Sequence, residues 1–500
     1  MMHGRGKSDS PRVSGTPPNN AAGPAAEAGE RRGRAEGNSL GGSALRTQGR
    51  AGVSSALERV RQAARQERKQ RFTALLHHGS AFERLRAAYA ARNPRASAGI
   101  DGETWEHYGQ TLEANLQDLA GRLKRGAYRA QPVRRAYIPK TDGRQRPLGV
   151  PALEDKLVQR AVVEVLDAIC SADFLGFSYG FRPGRSPQDA LDALSTGLLT
   201  QRVNWGLDAD IRSFFDTLAH GGLVKFLEHR VGDRRVVRLI QKWLNAGVLE
   251  DGERTYSEVG TVQGGSISPL LANLYLHYVF DLWVQRGRQT QAAGDVVVGR
   301  FADDFVVGFQ YRPEAERFLA ELRERFAKFG LALHPGKTRL IEFGPVAARN
   351  RQGRGQGKPE TFNFLGFTHI CGKKRSGRFT VLRQPIRQRL QAKLQAVKAE
   401  LRRRMHFPIP EQGAYLRSVG GGHIRSFGVP MNGPAIRLFR QEVGRVWHRV
   451  LWRRSQTHRL PWRRMTRYIT RWLPPARICP PYPLVRLGVV TQGKSPARAG

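Results

Sequence analysis

Two adjacent aspartates, Asp303 and Asp304, interrupt the apolar stretch VVVGRFADDFVVGFQ at residues 296–310. The runs on either side are rich in Val and Phe and predict two buried strands that meet at the aspartates. A buried carboxylate is costly unless it shares a proton, pairs with a base or holds a cation. The stretch therefore predicts a hairpin with aspartates at its tip. These two aspartates either form a metal site or belong to an ordinary turn.

A second group of acids lies upstream in WGLDADIRSFFDTLAH, where Asp208, Asp210 and Asp216 alternate with apolar residues at the end of a predicted strand. If that strand lies beside the hairpin, Asp210 and Asp303 meet across it. Two carboxylates together with substrate phosphates form a site that Mg²⁺ prefers. With two ions, one activates an attacking hydroxyl and the other stabilises the leaving pyrophosphate.

The distribution of charge indicates a polyanionic partner. The chain has 83 Lys and Arg against 42 Asp and Glu, a formal net charge of +41. Residues 201–310 are nearly neutral, with 12 basic and 13 acidic residues, whereas residues 371–500 hold 29 basic and 3 acidic residues. One region is suited to chemistry and another to binding phosphates, so we expect a nucleic-acid partner.

The spacing of the cysteines and the lengths of the apolar stretches indicate the cellular compartment of the protein. Cys170, Cys371 and Cys479 are too far apart for the paired spacing of disulfide frameworks or zinc sites, as in a reducing compartment. The longest apolar stretch, at residues 270–280, is too short to span a bilayer, and the N-terminus lacks an apolar signal core. We expect no membrane association and a cytoplasmic, nucleic-acid-bound protein. The oligomeric state stays open.

The hydrophobic pattern predicts an α+β fold with a mostly antiparallel sheet. Strands are expected in residues 134–151, 331–344 and 362–370, and amphipathic helices in residues 312–330 and 385–405. We predict four segments, namely a disordered basic tail at 1–55, a mixed domain at 56–370, a helical basic domain at 371–475 and a short tail at 476–500.

Between about residues 75 and 480, the chain resembles group II intron-encoded reverse transcriptases and maturases. FADD corresponds to the family's Tyr-Ala-Asp-Asp box, with Phe301 replacing the tyrosine, and DADIRSFFD to its first metal-binding segment. Further matches are IPKTDGRQRPLG (138–149), SYGFRPGRSPQDAL (178–191) and GTVQGGSISPLLANLYL (260–276). The resemblance implies a right-hand polymerase, with fingers and palm in 56–370 and a helical thumb and maturase domain in 371–475.

The resemblance also implies roles for individual residues. The catalytic acids and metal ligands would be Asp210, Asp303 and Asp304, with the backbone carbonyl of Ile211 as a further ligand. Lys337 would be a proton donor near the departing pyrophosphate. The nucleotide would contact Lys140, Arg146, Ile211, Phe215 and Gln263, and template or other RNA would contact Arg182, Arg185, Gly264, Arg453 and Arg454. For each basic residue, a solvated surface charge is the alternative.

Phe215 carries an inference about the sugar. It lies five residues after Asp210, where a bulky ring would collide with a ribose 2′-hydroxyl and so select deoxynucleotides. A purely structural aromatic on the strand is the alternative. The resemblance therefore favours DNA synthesis over RNA synthesis.

The basic C-terminal segment interleaves arginines with Trp447, Trp452, Trp462 and Trp472. Such side chains can stack on unpaired bases and neutralise phosphates, although the tryptophans can equally form the core of a helical domain. His423 and Ser426 stand where the resemblance predicts aromatic residues. The family's thumb and maturase domain grips the intron RNA and helps it to fold.

The expected partners are a group II intron RNA, a DNA target or primer and dNTPs, and the expected cofactor is two Mg²⁺ ions with Mn²⁺ as a possible substitute. Many relatives continue into a His-Asn-His endonuclease. We expect no such domain here, and therefore no second-strand cleavage and priming from an existing DNA end. The alternatives are a domesticated relative in DNA repair or phage defence, an RNA-binding maturase without polymerase activity, and an RNA-dependent RNA polymerase.

Overall fold

The computed structural model describes residues 45–139, 145–261, 263–454 and 460–480. The predicted nucleotide ligand Lys140, most of the predicted N-terminal tail and residues 481–500 lie outside the described residues. The first helix begins at Leu45, so residues 45–55, predicted as part of the tail, are helical. The mixed helix and antiparallel-sheet prediction is confirmed.

The N-terminal part is mainly helical and contains one hairpin. Its elements are α1 (Leu45–Gln66), α2 (Leu76–Gly79), α3 (Phe82–Ala90), α4 (Trp105–Gln110), α5 (Leu112–Arg125), β1 (Val133–Pro139), β2 (Gln145–Val150), α6 (Leu153–Asp173) and α7 (Pro187–Thr200). Helix α6 is apolar around most of its circumference and largely buried, and α2 and α3 pack against it. Helix α7 begins with a capping box between Ser186 and Asp189.

The central part supplies the palm. Its elements are β3 (Trp205–Asp210), α8 (Phe214–Thr217), α9 (His220–Glu228), α10 (Arg234–Leu244), β4 (Val248–Glu250), β5 (Glu253–Thr255), α11 (Ser268–Leu276), the π-helical turn His277–Asp281, α12 (Leu282–Thr290), β6 (Val296–Phe301), β7 (Asp304–Phe309), α13 (Arg312–Lys328) and β8 (Arg339–Glu342). The palm sheet has the strand order β6-β7-β3-β8, with every neighbouring pair antiparallel. The fingers sheet has the order β2-β1-β4-β5.

One face of the palm sheet is covered by α13. Phe305 of β7 and Phe326 of α13 are fully buried, with ring centroids 6.3 Å apart. Strand β8 is shorter than the predicted 331–344, because Pro335 and Gly336 form a turn and only Leu333 makes an isolated bridge, to Ile211. This turn brings Lys337 to the end of β3.

The C-terminal part contains α14 (Ala347–Gly353), β9 (Phe362–Phe364), β10 (Phe367–Lys373), β11 (Phe379–Pro385), α15 (Arg387–Arg403), α16 (Ile409–Phe427), α17 (Gly433–Trp452) and α18 (Trp462–Trp472). The predicted boundary at residue 371 falls inside the antiparallel hairpin β10–β11. The basic loop between these two strands interrupts the alternation of apolar residues that predicts a strand. Pairing between β10 and β11 buries side chains that the local sequence pattern does not mark as buried. The helical domain therefore begins at Arg387.

The helical domain has its own core, and its tryptophans differ in their exposure. Trp447 is fully buried, whereas Trp452 and Trp462 are 45% and 50% exposed. His423 is buried and stacks on Phe439 with ring centroids 3.7 Å apart, and burial lowers its pKa to about 4. It therefore packs as a neutral aromatic ring, which preserves the core despite the departure from the family pattern.

Within the described ranges, no helix is long and apolar enough to cross a membrane. Cys170, Cys371 and Cys479 are free thiols, in keeping with the absence of paired spacing in the sequence.

Candidate active site

The acid-tipped hairpin forms as the sequence predicts. Phe301 pairs with Asp304 at the end of the β6–β7 ladder, and Ala302 and Asp303 form the turn. Ala302 has a φ of 57°, a left-handed conformation that side chains other than glycine rarely adopt. Across the neighbouring ladder, Asp210 pairs with Asp304. Acids 94 residues apart in the sequence therefore lie at the same end of the palm sheet.

The carboxylates perturb one another. Burial raises the pKa of Asp303, and the negative charge of Asp210 raises it further. Burial raises the pKa of Asp304 to about 8, with added repulsion from Asp303 and Asp208, while a hydrogen bond from the backbone N–H of Leu365 opposes the shift. Such repulsion is relieved when a cation binds between the groups. The electrostatics therefore fit a cation site.

The site is built from few protein ligands. In the part of the chain that the structure describes, no group of three or more His, Cys, Asp and Glu residues is arranged to hold a metal ion by itself. Asp210 and Asp303 are both partly exposed, and a pair of carboxylates suits an ion that takes its remaining oxygens from water and substrate phosphates.

Lys337 already places a positive charge in this cluster. Its ammonium pairs with Asp210 Oδ2 at 2.5 Å, while the side chain stays 57% exposed. The backbone N–H of His334 donates to the Asp210 carbonyl at 2.8 Å, and that of Lys337 donates to the His334 carbonyl at 3.1 Å. The turn that carries Lys337 is thus tied to β3 itself, next to the buried Ile211.

The other aspartates of the upstream group lie outside the site. Asp208 pairs with Arg339 of β8 at 3.1 Å, and Asp216 is exposed on α8. Asp208 contributes repulsion to Asp304 but is occupied by its own arginine. The structure therefore separates Asp210 from its two neighbours in the sequence.

A loop joins Phe215 to the fingers strand β2. The backbone N–H of Thr261 donates to the Phe215 carbonyl at 2.6 Å, and the N–H of Gly149 donates to the Gln263 carbonyl at 2.6 Å. Gly264 has a φ of 117°, and a Cβ there would lie 2.4 Å from the Gly149 carbonyl oxygen. Backbone contacts therefore set the positions of Phe215, Gln263 and Gly264 together.

Arg146 lies on β2 of the same fingers sheet. Its side chain is exposed, and its charge lowers the pKa of Asp303. Guanidinium groups bind phosphate with a fixed fork of donors, and the exposed side chain of Arg146 has such a fork available.

The structure corrects the role of Arg182. This guanidinium is buried and donates to the carbonyls of Leu175 at 2.7 Å and Ser178 at 2.6 Å, and more weakly to two carbonyls near the end of α6. It therefore supports the chain behind the palm and is not free to contact RNA. Arg185 is half-buried, donates to Gly176 at 2.5 Å and lies over the Tyr179 ring. Arg453 and Arg454 are exposed after α17.

The sequence pattern predicted no role for Arg300, which is fully buried in β6 next to the turn formed by Ala302 and Asp303. The available signal was a lone arginine within the apolar run VVVGRF, since a charge in a buried strand requires a partner. The pattern could not show which partner, because the groups that surround Arg300 come from distant segments.

The palm sheet and the acids at its end lie within a segment that is similar to reverse transcriptases. Residues 138–369 match the family described as reverse transcriptase (RNA-dependent DNA polymerase). Reverse transcriptases use divalent metal ions.

Several curated proteins are similar in sequence to part of this chain. It is 37% identical over 237 residues to Protein YkfC of Escherichia coli (strain K12), covering 42% of this chain and 62% of that protein. It is 42% identical over 168 residues to the group II intron-encoded protein LtrA of Lactococcus lactis subsp. cremoris, covering 33% and 27%. An uncharacterized 91 kDa protein in the cob intron of Schizosaccharomyces pombe is 41% identical over 155 residues, covering 31% and 19%. The chain spans less than two thirds of each relative.

Proposed function

We propose that the protein is an RNA-directed DNA polymerase encoded by a group II intron, which binds the intron RNA, assists its splicing and copies it into DNA during retromobility. The observation that carries this proposal is the convergence of Asp210 with the hairpin acids at the end of the palm sheet, where Asp210 pairs with Asp304 and its charge raises the pKa of Asp303. Extension of a DNA primer on an RNA template by the purified full-length chain tests it.

The proposed cofactor is a pair of Mg²⁺ ions, for which Mn²⁺ can substitute. Asp210, Asp303, Asp304 and the carbonyl of Ile211 would hold them, and the donor set fits because the carboxylates repel one another and already attract the Lys337 ammonium. When bound, the ions activate the attacking hydroxyl and stabilise the leaving pyrophosphate.

The chain's own residues orient the nucleotide. Arg146, together with Lys140, would hold the triphosphate, while Gln263 and Gly264 would lie against the base and template. Lys337 would leave Asp210 and donate a proton to the pyrophosphate, since its exposed side chain is free to move. The DNA target or primer would supply the attacking 3′-hydroxyl, and dNTPs would be the substrates.

We expect Phe215→Val to relax sugar selection. The ring packs against Phe214 with centroids 5.6 Å apart, and a smaller side chain would leave space for a 2′-hydroxyl. The ratio of NTP to dNTP incorporation, measured by single-nucleotide primer extension, should rise at least about tenfold. Phe214→Leu is the matched control, because Phe214 is buried and should affect stability without altering the ratio. An unchanged ratio in Phe215→Val would remove the proposed role.

An intron RNA is the partner that the helical domain favours. A cleft of about 840 Å³ between α17 and α18 is lined by Arg437, Arg440, Arg445 and the exposed Trp462. Arginines beside an exposed aromatic ring suit unpaired bases and their phosphates. Sequencing of RNA that co-purifies with the protein should recover one structured intron, whereas a random RNA population would contradict this partner. Such a partner is consistent with a bacterial cytoplasmic location.

We expect replacement of Arg453 and Arg454 by Ala to weaken RNA binding through lost phosphate contacts. The slope of log K against log salt should become shallower by about 1.4, at about 0.7 per contact. The control is the double variant Arg312→Ala and Arg317→Ala on α13, where each exposed arginine pairs with a glutamate four residues later. An equal change in both variants would show a general charge effect without a local RNA contact.

A further inference from the structure

Arg300 is held by a complete set of hydrogen bonds. Its Nε and Nη2 donate to the two carboxylate oxygens of Asp281 at 2.7 and 2.6 Å, and Nη2 also donates to Ser178 Oγ at 2.7 Å. Its Nη1 donates to Asn273 Oδ1 and to the Ala302 carbonyl, both at 2.9 Å. All five N–H donors of the guanidinium are therefore occupied.

Stability alone does not explain this arrangement. Arg300 and Asp281 are both 0% exposed, and removing two charges from water offsets most of the attraction between them. An apolar pair of similar volume would stabilise a core at least as well. What the apolar pair could not do is hold the Ala302 carbonyl in one direction.

The partners come from separate segments that converge behind the catalytic turn. Ser178 follows α6, Asn273 lies on α11, and Asp281 ends the π-helical turn. A π-helical turn is uncommon and often lies at functional sites, because the wider turn changes the direction of its side chains. Here it brings Asp281 to Arg300.

The same network holds the turn from its other side. The Asn273 amide donates to the Gly180 carbonyl at 2.6 Å, and Gly180 packs so closely that a Cβ would lie 2.3 Å from the backbone nitrogen of Ala302. Ala302 is thus fixed at both its nitrogen and its carbonyl oxygen. A left-handed alanine persists only where its surroundings determine it, and these contacts supply that restraint.

We propose that Arg300 is a positioning residue for Asp303, in that its buried guanidinium, oriented by Asp281, holds the Ala302 carbonyl and so fixes the turn that presents the catalytic carboxylate. This inference rests on the proposed polymerase function. Arg300 touches neither substrate nor metal and acts through the backbone. Its loss should therefore affect the chemical step and metal affinity, and leave the binding of primer and template unchanged.

Arg300→Lys is the direct test, because it keeps the charge but loses the fixed fork of donors. We expect kcat per folded molecule to fall about 100-fold, as for a catalytic group displaced by about 1 Å. The Mg²⁺ concentration for half-maximal activity should rise, while the Kd for primer–template should stay within about twofold. Ser178→Ala, which removes one hydroxyl, should shift both kcat and the Mg²⁺ midpoint in the same direction by less.

Arg230→Lys is the matched control. Arg230 is also buried, pairs with Asp173 at 2.8 Å and donates to the carbonyls of Ala64 and Arg68, none of which belongs to the catalytic turn. It should lower the melting temperature but leave kcat per folded molecule and the Mg²⁺ midpoint unchanged. The positioning role is overturned if both variants lose activity only in proportion to folded protein.

A readout that does not need polymerase activity separates this inference from the proposed function. Mn²⁺ binding, followed by electron paramagnetic resonance, should weaken in Arg300→Lys and match the wild type in Arg230→Lys. If the wild type extends no primer, the proposed function fails, and the Mn²⁺ titration still decides the positioning role. Equal Mn²⁺ affinity in wild type and Arg300→Lys overturns it.

Discussion

Asp303→Asn should reduce primer extension on an RNA template by more than about 10³-fold. A metal-held carboxylate contributes several kcal/mol to stabilising the transition state, and each 1.36 kcal/mol corresponds to a factor of ten. The protein should stay folded. Burial raises the pKa of Asp303, so its charge opposes folding at neutral pH, and the neutral amide relieves that cost. The melting temperature should therefore be unchanged or higher.

Asp216→Asn is the matched control for this variant. Asp216 belongs to the same upstream acid group but is exposed on α8 and is not among the main causes of the raised pKa of Asp303 or Asp304. Its extension rate should stay within about tenfold of wild type, as expected of a surface substitution away from the site. Similar losses of primer extension in both variants would show that Asp303 has no special role in catalysis.

Gly264→Ala should reduce kcat/KM for dNTPs by about 100-fold. A Cβ at this position would lie 2.4 Å from the Gly149 carbonyl oxygen, and the φ of 117° is unfavourable for alanine. Because the atoms that this Cβ would meet all belong to the backbone of Gly149, the loop that carries Gly264 must move away from β2. That movement displaces Gln263 and Arg146, and a shift of about 1 Å at a substrate-positioning group costs about this factor. Single-turnover incorporation at varied dNTP concentration measures it.

Gly252→Ala is the control for Gly264→Ala, because it tests the effect of a positive φ without a close contact. Gly252, in the β4–β5 turn, has a φ of 87°, and a Cβ at this position would have no neighbouring atom within 4 Å. Gly252→Ala should lower the stability of the protein through its unfavourable backbone conformation and leave kcat/KM for dNTPs unchanged. If Gly252→Ala and Gly264→Ala reduce kcat/KM equally, the close approach of Gly264 to Gly149 is not what positions the nucleotide.

The central part of the site could be predicted from local patterns. Alternation along 205–210 and the apolar runs flanking Asp303 predict two strands, and antiparallel pairing then places Asp210 beside the hairpin tip. The amphipathic helix α13 and the helix α15 follow from their apolar spacing in the same way. These features depend mainly on residues close in the sequence, or on a single strand pairing.

The roles of buried arginines could not be predicted in this way. Arg182 occurs in a basic, glycine-rich motif that gives no sign of whether its side chain faces solvent, and the structure directs it to backbone carbonyls. Arg300 needs Ser178, Asn273 and Asp281, which meet only after α11 and the π-helical turn pack behind β6. The boundary at Arg387 likewise depends on the pairing of β10 with β11.

The most direct measurement is a crystal structure of the protein with an RNA template, a dideoxy-terminated DNA primer, the complementary dNTP and Mn²⁺, with anomalous scattering to locate the metal. We predict Mn²⁺ bound by the carboxylates of both Asp210 and Asp303, with the triphosphate beside Arg146 and Lys337 released from Asp210. Manganese located elsewhere, with the Lys337–Asp210 pair intact, would contradict the account.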